Sequence, residues 1–273
     1  MRDVSQGAVV LCVYRERNTA PLQRLLRGLP DGWSTHLWAL DAISPALADR
    51  TLGCGPGDKF DLLNRLYGAA KPDPAAHILF VDDDVVFTRG SLWRFVSWSQ
   101  RAGLDLSQPA HGWRSAFFHT ITGRRRWCRA RLTTFVEIGP IVYVGPRVRS
   151  DVLPFPSDLG MGWGLEFSWS DLVSRGYLLG IVDRTPVRHL GTIGDAYDQV
   201  AERKRLADTF AAHGVDGWEA IQKTLSCWRP WQSRPPWQAD PRSPFAASPA
   251  LGSLDPPPAD QTDDSSARHR DGQ

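Results

Sequence analysis

Three consecutive carboxylates, Asp82, Asp83 and Asp84, close the apolar run of HILFVDDDVVF, residues 77–87. Like charges side by side repel, and Asp is a poor strand former, so this placement asks for a metal, a phosphorylatable nucleophile or a turn into solvent. Two Asp at i and i+2 leave a strand end on the same side. A hard cation such as Mg²⁺ or Mn²⁺ takes oxygen ligands from one or two such carboxylates and from substrate phosphates. Bound there, it would neutralise a diphosphate leaving group.

Further candidates lie downstream, in GMGWGLEFSWSDLVSRGYLLGIVDRTPVRHLG, residues 160–191. Gly160, Gly162 and Gly164 permit close backbone approach, and Trp163 offers a flat apolar face. Glu166 begins a predicted helix, where the dipole favours its charged form. It reads either as a general base for a hydroxyl or as an ordinary first-turn acid. His189 follows a predicted strand and is either a metal ligand or a structural histidine. Tyr14 and Asp41 fall at strand ends; Asp41 either meets a ligand or caps the next helix. Lys59, in the turn GPGDKF, reaches a phosphate or solvent, and Arg15 and Arg17 a nucleotide or the surface. Glu137 interrupts an apolar stretch and needs a partner, either Arg131 or a substrate hydroxyl. The segment GRRRWCRARL, residues 123–132, reads as a nucleic-acid patch, as a lid that meets diphosphate, or as a solvated loop.

The elements that must position these groups follow from periodicity. GAVVLCVY (7–14) is a continuous apolar run, as in a strand buried on both faces. Residues 19–30 repeat Leu at helical spacing, 35–41 form a second strand, 57–71 a second helix and 77–84 a third strand. This β-α-β-α-β order predicts a Rossmann-like half whose ligands bind beyond the C-terminal strand ends. Beyond it, residues 90–103 read as a helix, 133–146 as a strand, 165–177 as a helix, 178–191 as a strand and turn, and 197–214 as a polar helix.

With ILFVDDDVVF after two β-α units, the chain resembles the nucleotide-sugar-dependent glycosyltransferases of the GT-A fold. The resemblance covers roughly residues 7–225, and WGLE (163–166) is similar to the WGxE loop of polypeptide N-acetylgalactosaminyltransferases. It implies a mostly parallel central sheet with helices on both faces. It also implies a nucleotide-sugar-binding half (about 7–110) and an acceptor half (111–228). Asp82, Asp84 and His189 would hold Mn²⁺ or Mg²⁺. Tyr14, Arg15, Asp41, Lys59, Asp82 and Asp83 would face a nucleoside diphosphate-sugar donor. Trp163, Gly164 and Glu137 would face a glycan or small-molecule acceptor, with Glu166 as its base or orienter. The QxxRW motif of processive synthases is missing, which disfavours that subclass.

VDDDVV also fits the nucleophile motif of haloacid dehalogenase-type phosphatases. There Asp82 would be the covalent nucleophile, Asp84 the acid–base, and GDAYD (194–198) the later acidic motif. Two β-α units precede the motif here, which favours the glycosyltransferase reading. A catalytically silent nucleotide-sugar-binding protein is the third reading.

Bulk properties exclude little else. The 273 residues carry a net charge of +2, which gives no strong field for nucleic acid or an anionic membrane. No stretch approaches the roughly 18 apolar residues of a membrane span, and no leader pattern opens the chain. Cys12, Cys54, Cys128 and Cys227 form no CxxC pair, so a reducing, cytoplasmic setting is expected. Residues 229–273, rich in Pro and Ser without hydrophobic period, are expected to be a disordered tail.

Overall fold

In the computed structural model the described residues are 7–115, 117–157, 159, 162, 164–191, 199–212 and 214–239. The first strand, β1 (Ala8–Tyr14), is buried at every position, as its unbroken apolar run requires. Helix α1 (Thr19–Leu25) stops before its expected end at Pro30. Gly28 there adopts a φ of +67°, a left-handed conformation that ends helices. Strand β2 (Ser34–Ala39) and the short strand β3 (Thr51–Cys54) follow. Helix α2 (Lys59–Ala70) begins after Asp58 and is closed by a left-handed Lys71. Strand β4 (His77–Val81) delivers the three acids into a turn, and β5 (Val85–Phe87) leaves it. Helix α3 (Leu92–Ala102) ends on Gly103.

The second half holds β6 (Leu106–His111), β7 (Ala130–Thr133), β8 (Ile141–Val144), α4 (Arg149–Val152) and α5 (Leu165–Asp171). After them come β9 (Leu179–His189), α6 (Gln199–Ala212), β10 (Thr224–Trp228) and α7 (Pro236–Ala239). The strands join one sheet in the order β10-β7-β9-β6-β8-β4-β1-β2-β3, with β5 paired to β9. Pairing within β4-β1-β2-β3 is parallel throughout. The second half attaches through antiparallel pairs, except for the parallel pair β6–β9. One hydrophobic cluster gathers α1 and α3 on one face of the sheet through Leu22 and Phe95. The other gathers α2 and α5 on the opposite face through Phe60, Leu63 and Trp169. Helices therefore cover both faces.

Three expectations are corrected. The strand expected over 133–146 is broken: β7 stops at Thr133, and residues 134–140 form a loop before β8. Strand β6 was not expected, because LSQPAH has neither apolar continuity nor alternation. Pro109 would weaken an interior strand, and the register with β9 shifts between Pro109 and His111. The tail boundary at 229 falls too early. Trp237 is buried in the core, and its Nε1 donates to the Ala102 carbonyl at 2.8 Å. The tail from residue 240 onward lies outside the described residues, as do Gly160, Trp163 and residues 192–198.

Cys128 and Cys227 are joined by a disulfide, while Cys12 and Cys54 are free. This pairing runs against the reducing setting expected from cysteine spacing, since disulfides persist in oxidising compartments. No helix among the described residues is long and apolar enough to cross a membrane.

Candidate metal centre and acceptor base

Strand β4 runs parallel to β1 and β2, so its C-terminal end opens beside theirs. Ligands in such sheets bind at that edge. The turn after Val81 places Asp82 and Asp84 there, and the antiparallel pairing of Val85 with His189 brings the end of β9 against the same turn. Ligand atoms of Asp82, Asp84 and His189 lie within 4.8 Å of one another. His189 Nε2 is 2.9 Å from Asp84 Oδ1. Burial would lower the imidazole pKa, but the hydrogen bond to Asp84 and the charges of Asp82 and Asp84 prevail and raise it. Burial pushes the other way on Asp84, and His189 holds its carboxyl below the ordinary value.

Two hard oxygens and one imidazole suit Mn²⁺ or Mg²⁺ better than a thiophilic ion. The surroundings leave room for the group. A side chain at Gly191 would put a carbon 2.2 Å from Asp84 Oδ2, and one at Gly139 would lie 3.2 Å from Asp82 Oδ2. Bare glycine at both positions keeps the carboxylates clear.

Lys59, the first residue of α2, extends its Nζ to 2.5 Å from Asp82 Oδ1. The cation therefore shares the acid cluster and does not run to solvent. Asp83 is bonded away from the candidate metal-ligand pair. It accepts the Arg15 backbone N–H at 2.7 Å. Burial raises its pKa to about 6, against the opposing hydrogen bonds from Arg15 and Asn18. Arg15 thus reaches the cluster through its backbone.

Two residues expected on the donor side have partners within the protein. Tyr14 is fully buried, and its hydroxyl lies 3.1 Å from both the Ser44 backbone N–H and Thr51 Oγ1. It supports the loop after β2. Asp41 accepts the N–H groups of Glu16 and Ala42 through Oδ1 at 2.9 and 2.8 Å. Those bonds, led by the one from Glu16, lower its pKa. Asp41 ties the two loops after β1 and β2 together and caps no following helix.

The loop 134–140 joins the acid cluster to Glu166. At one end Asp82 donates its N–H to the Pro140 carbonyl at 2.8 Å. At the other, Ile138 donates its N–H to Glu166 Oε1 at 3.3 Å, and Gly164 donates to Oε2 at 3.2 Å. Gly164 needs a φ of +101° to do so, which glycine adopts without strain. Glu166 is 1% exposed. Burial raises its pKa to about 7, with the charge of Glu137 adding to the rise against the backbone hydrogen bonds. That value suits a general base at neutral pH.

Glu137 lies in this loop and not in a strand. Its partner is His111, with Oε2 3.2 Å from Nε2. Arg131 instead pairs with Asp183, because β7 and β9 bring those two side chains together inside the sheet. His111 Nδ1 is 2.9 Å from Ser115 Oγ, which accepts the His189 N–H at 3.0 Å. A chain of polar contacts thus runs from Glu137 to the backbone of a metal-ligand candidate. Sequence reading missed His111 and Ser115. His111 ends the unrecognised strand β6, and only the β6–β9 pairing places it beside this edge.

A cavity of about 410 Å³ lies at the opposite end of β1, lined by Gly7, Gly32 and Lys71. It contains none of the converging acids, which sit at the other strand ends.

No family model matches the chain, and no curated protein matches it. Solved structures do. GalNAc-T7 with UDP, GalNAc and Mn²⁺ is 9% identical, with a TM-score of 0.51 over 76% of this chain and 48% of that one. Residues 1–349 of S. aureus TarS are 11% identical, with a TM-score of 0.48 over 79% of this chain and 67% of that one. The same TarS fragment with UDP-GlcNAc is 12% identical, with a TM-score of 0.48 over 79% and 68%. The expectation of sheet and helix layout is met: this chain has the α/β fold of the GT-A glycosyltransferases.

Proposed function

We propose that this protein is a metal-dependent glycosyltransferase that moves a sugar from a nucleoside diphosphate-sugar to an acceptor hydroxyl. The observation that carries the reading is the convergence of Asp82, Asp84 and His189 at the open end of β4, with the buried Glu166 one loop away. The GalNAc-T7 structure, which shares the fold, holds UDP and Mn²⁺.

Asp82, Asp84 and His189 hold the divalent ion, which when bound supplies positive charge to the diphosphate. Lys59 adds a second positive charge on the donor side. Asp83, bonded to the Arg15 N–H, fixes the loop after β1 against the site. Glu166 takes the acceptor proton as the hydroxyl attacks, or orients the acceptor if the anomeric configuration is retained. Glu137 and Gly164 flank it on the acceptor side. The haloacid dehalogenase reading needs Asp82 as a nucleophile that opens the fold's core, whereas β1, β2 and β3 precede it here.

Calorimetry of the purified chain against a panel of nucleoside diphosphate-sugars, with and without Mn²⁺, tests the reading. Metal-dependent binding of one donor is expected. Binding of none, with phosphate-ester hydrolysis lost in Asp82→Asn, would replace it with the phosphatase.

A further inference from the structure

Two tryptophans stand in water on adjoining turns far from the acid cluster in chemistry. Trp127 is 70% exposed and Trp231 is 73% exposed. Their turns are fastened together. The Cys128–Cys227 disulfide joins the residue after Trp127 to the strand that leads to Trp231. Arg129 donates its backbone N–H to the Trp228 carbonyl at 2.7 Å and its guanidinium to the Pro230 carbonyl. Both indoles therefore project from fixed backbone, and exposing them costs hydration that nothing in the fold recovers.

Arginines surround them. Arg124, Arg125 and Arg126 are exposed on the first turn. Arg101 lies over the Trp98 ring at 4.6 Å, Arg129 over Trp228 at 5.2 Å, and Arg184 over Trp98 at 6.0 Å. Arg89 donates to the Arg184 carbonyl. Among the described residues none of these seven arginines forms an ion pair. Asp183, close to Arg125, is consumed by Arg131. Burial and neighbouring arginines lower the guanidinium pKa of Arg89 and Arg129, as expected where like charges gather without an anion.

We infer that this face docks on an anionic phospholipid bilayer, with Trp127 and Trp231 at the headgroup boundary and the arginines on lipid phosphates. Indoles prefer that boundary because one edge is apolar and the N–H is wet. Guanidinium is weakly hydrated and matches phosphate with paired donors. A single-stranded nucleic acid would use similar groups, and a net charge of +2 steers the chain strongly to neither polyanion, so the choice rests on the two indoles. A bilayer, in contrast, rewards burial of two projecting rings. The docked face adjoins the acceptor side: Arg124 donates its N–H to the His111 carbonyl at 2.8 Å, and His111 holds Glu137. If the proposed transferase activity holds, the acceptor is membrane-borne. The docking itself does not depend on that reading.

Flotation of the full chain, without reductant, with phosphatidylcholine vesicles and with vesicles containing phosphatidylglycerol tests the inference without reading activity. Binding to the anionic vesicles alone is expected. Trp127→Ala with Trp231→Ala should weaken it by at least about tenfold. Replacing Arg124, Arg125 and Arg126 by Ser should weaken it by about fivefold per charge. Melting curves of both variants should overlay the parent, since the side chains are exposed. Absence of flotation, or flotation unchanged in the tryptophan variant, overturns the inference. So does binding of a single-stranded oligonucleotide or heparin without binding of vesicles.

Discussion

Two charge clusters of this molecule use the same residue types to opposite ends. Asp183 and Arg131 are both fully buried. Asp183 accepts from Arg131 Nε at 2.8 Å, from a second guanidinium nitrogen at 3.2 Å and from the Arg125 N–H at 2.7 Å. Two further guanidinium N–H groups go to the carbonyls of Ile121 and Gly123. Neither side chain is exposed to a ligand. At the other cluster, the Asp82 and Asp84 side chains are 21% and 23% exposed. Three carboxylates there face one lysine and one histidine. Pairing at the first cluster is complete because no water can reach it, and an unpaired charge there would cost several kcal/mol. Pairing at the second is incomplete because water, and by our reading a cation and a diphosphate, make up the difference.

The sharpest way to break this contrast is to remove one acid from each cluster. Asp183→Ala should strand the Arg131 guanidinium and destabilise the fold by about 3–5 kcal/mol. Asp84→Asn should change stability by no more than about 0.5 kcal/mol. Urea denaturation of both variants without added metal checks this, and equal losses would erase the distinction.

Glu166 stands between the two cases, fully buried and, among the described residues, held by backbone donors. Glu166→Gln should lower transfer by about 10²–10⁴-fold while donor binding persists. In the parent protein the transfer rate should rise with pH through about 7, as the buried carboxyl ionises. The linkage has the opposite sign. A carboxyl whose folded pKa lies above its ordinary 4.5 contributes stability at low pH, and loses it as pH climbs towards about 7. Glu166→Gln should flatten that decline, which chemical denaturation at several pH values would read.

A covalent tie accompanies the buried cluster. The Cys128–Cys227 bond spans 99 residues of sequence, so Cys227→Ser should cost about 2–4 kcal/mol. A melting midpoint unmoved by reductant would argue against the bond in solution. The smallest effect belongs to the open cluster. Mn²⁺ at about 100 times its dissociation constant should add about 2.7 kcal/mol of stability. Asp84→Asn should abolish that gain, and its survival would move the ion elsewhere.

Much of this was legible in the chain. The apolar runs of β1 and β4 and the helical Leu spacing of α1 and α2 announce buried parallel strands with covering helices. Local pattern suffices there because those strands are buried on both faces. The acids at the end of β4 were equally legible, since three Asp after five buried apolar residues stand out from the run that precedes them. Strand β6 was hidden because its polar side chains are buried by contacts that only the tertiary fold makes. Gln108 Oε1, for example, accepts the Glu137 N–H. Tyr14 misled because a strand-end position does not say to which side a ring points.

The sequence by itself determined the Rossmann-like half, the acid turn at its edge and Glu166 at a helix start, because those depend on residue type and short-range period. Tertiary structure alone decided which charges meet. His189 reaches Asp84 across 105 residues only because β5 and β9 pair antiparallel. Glu137 took His111 and Arg131 took Asp183 because strand register, which no local pattern encodes for the second half, sets which side chains share a face.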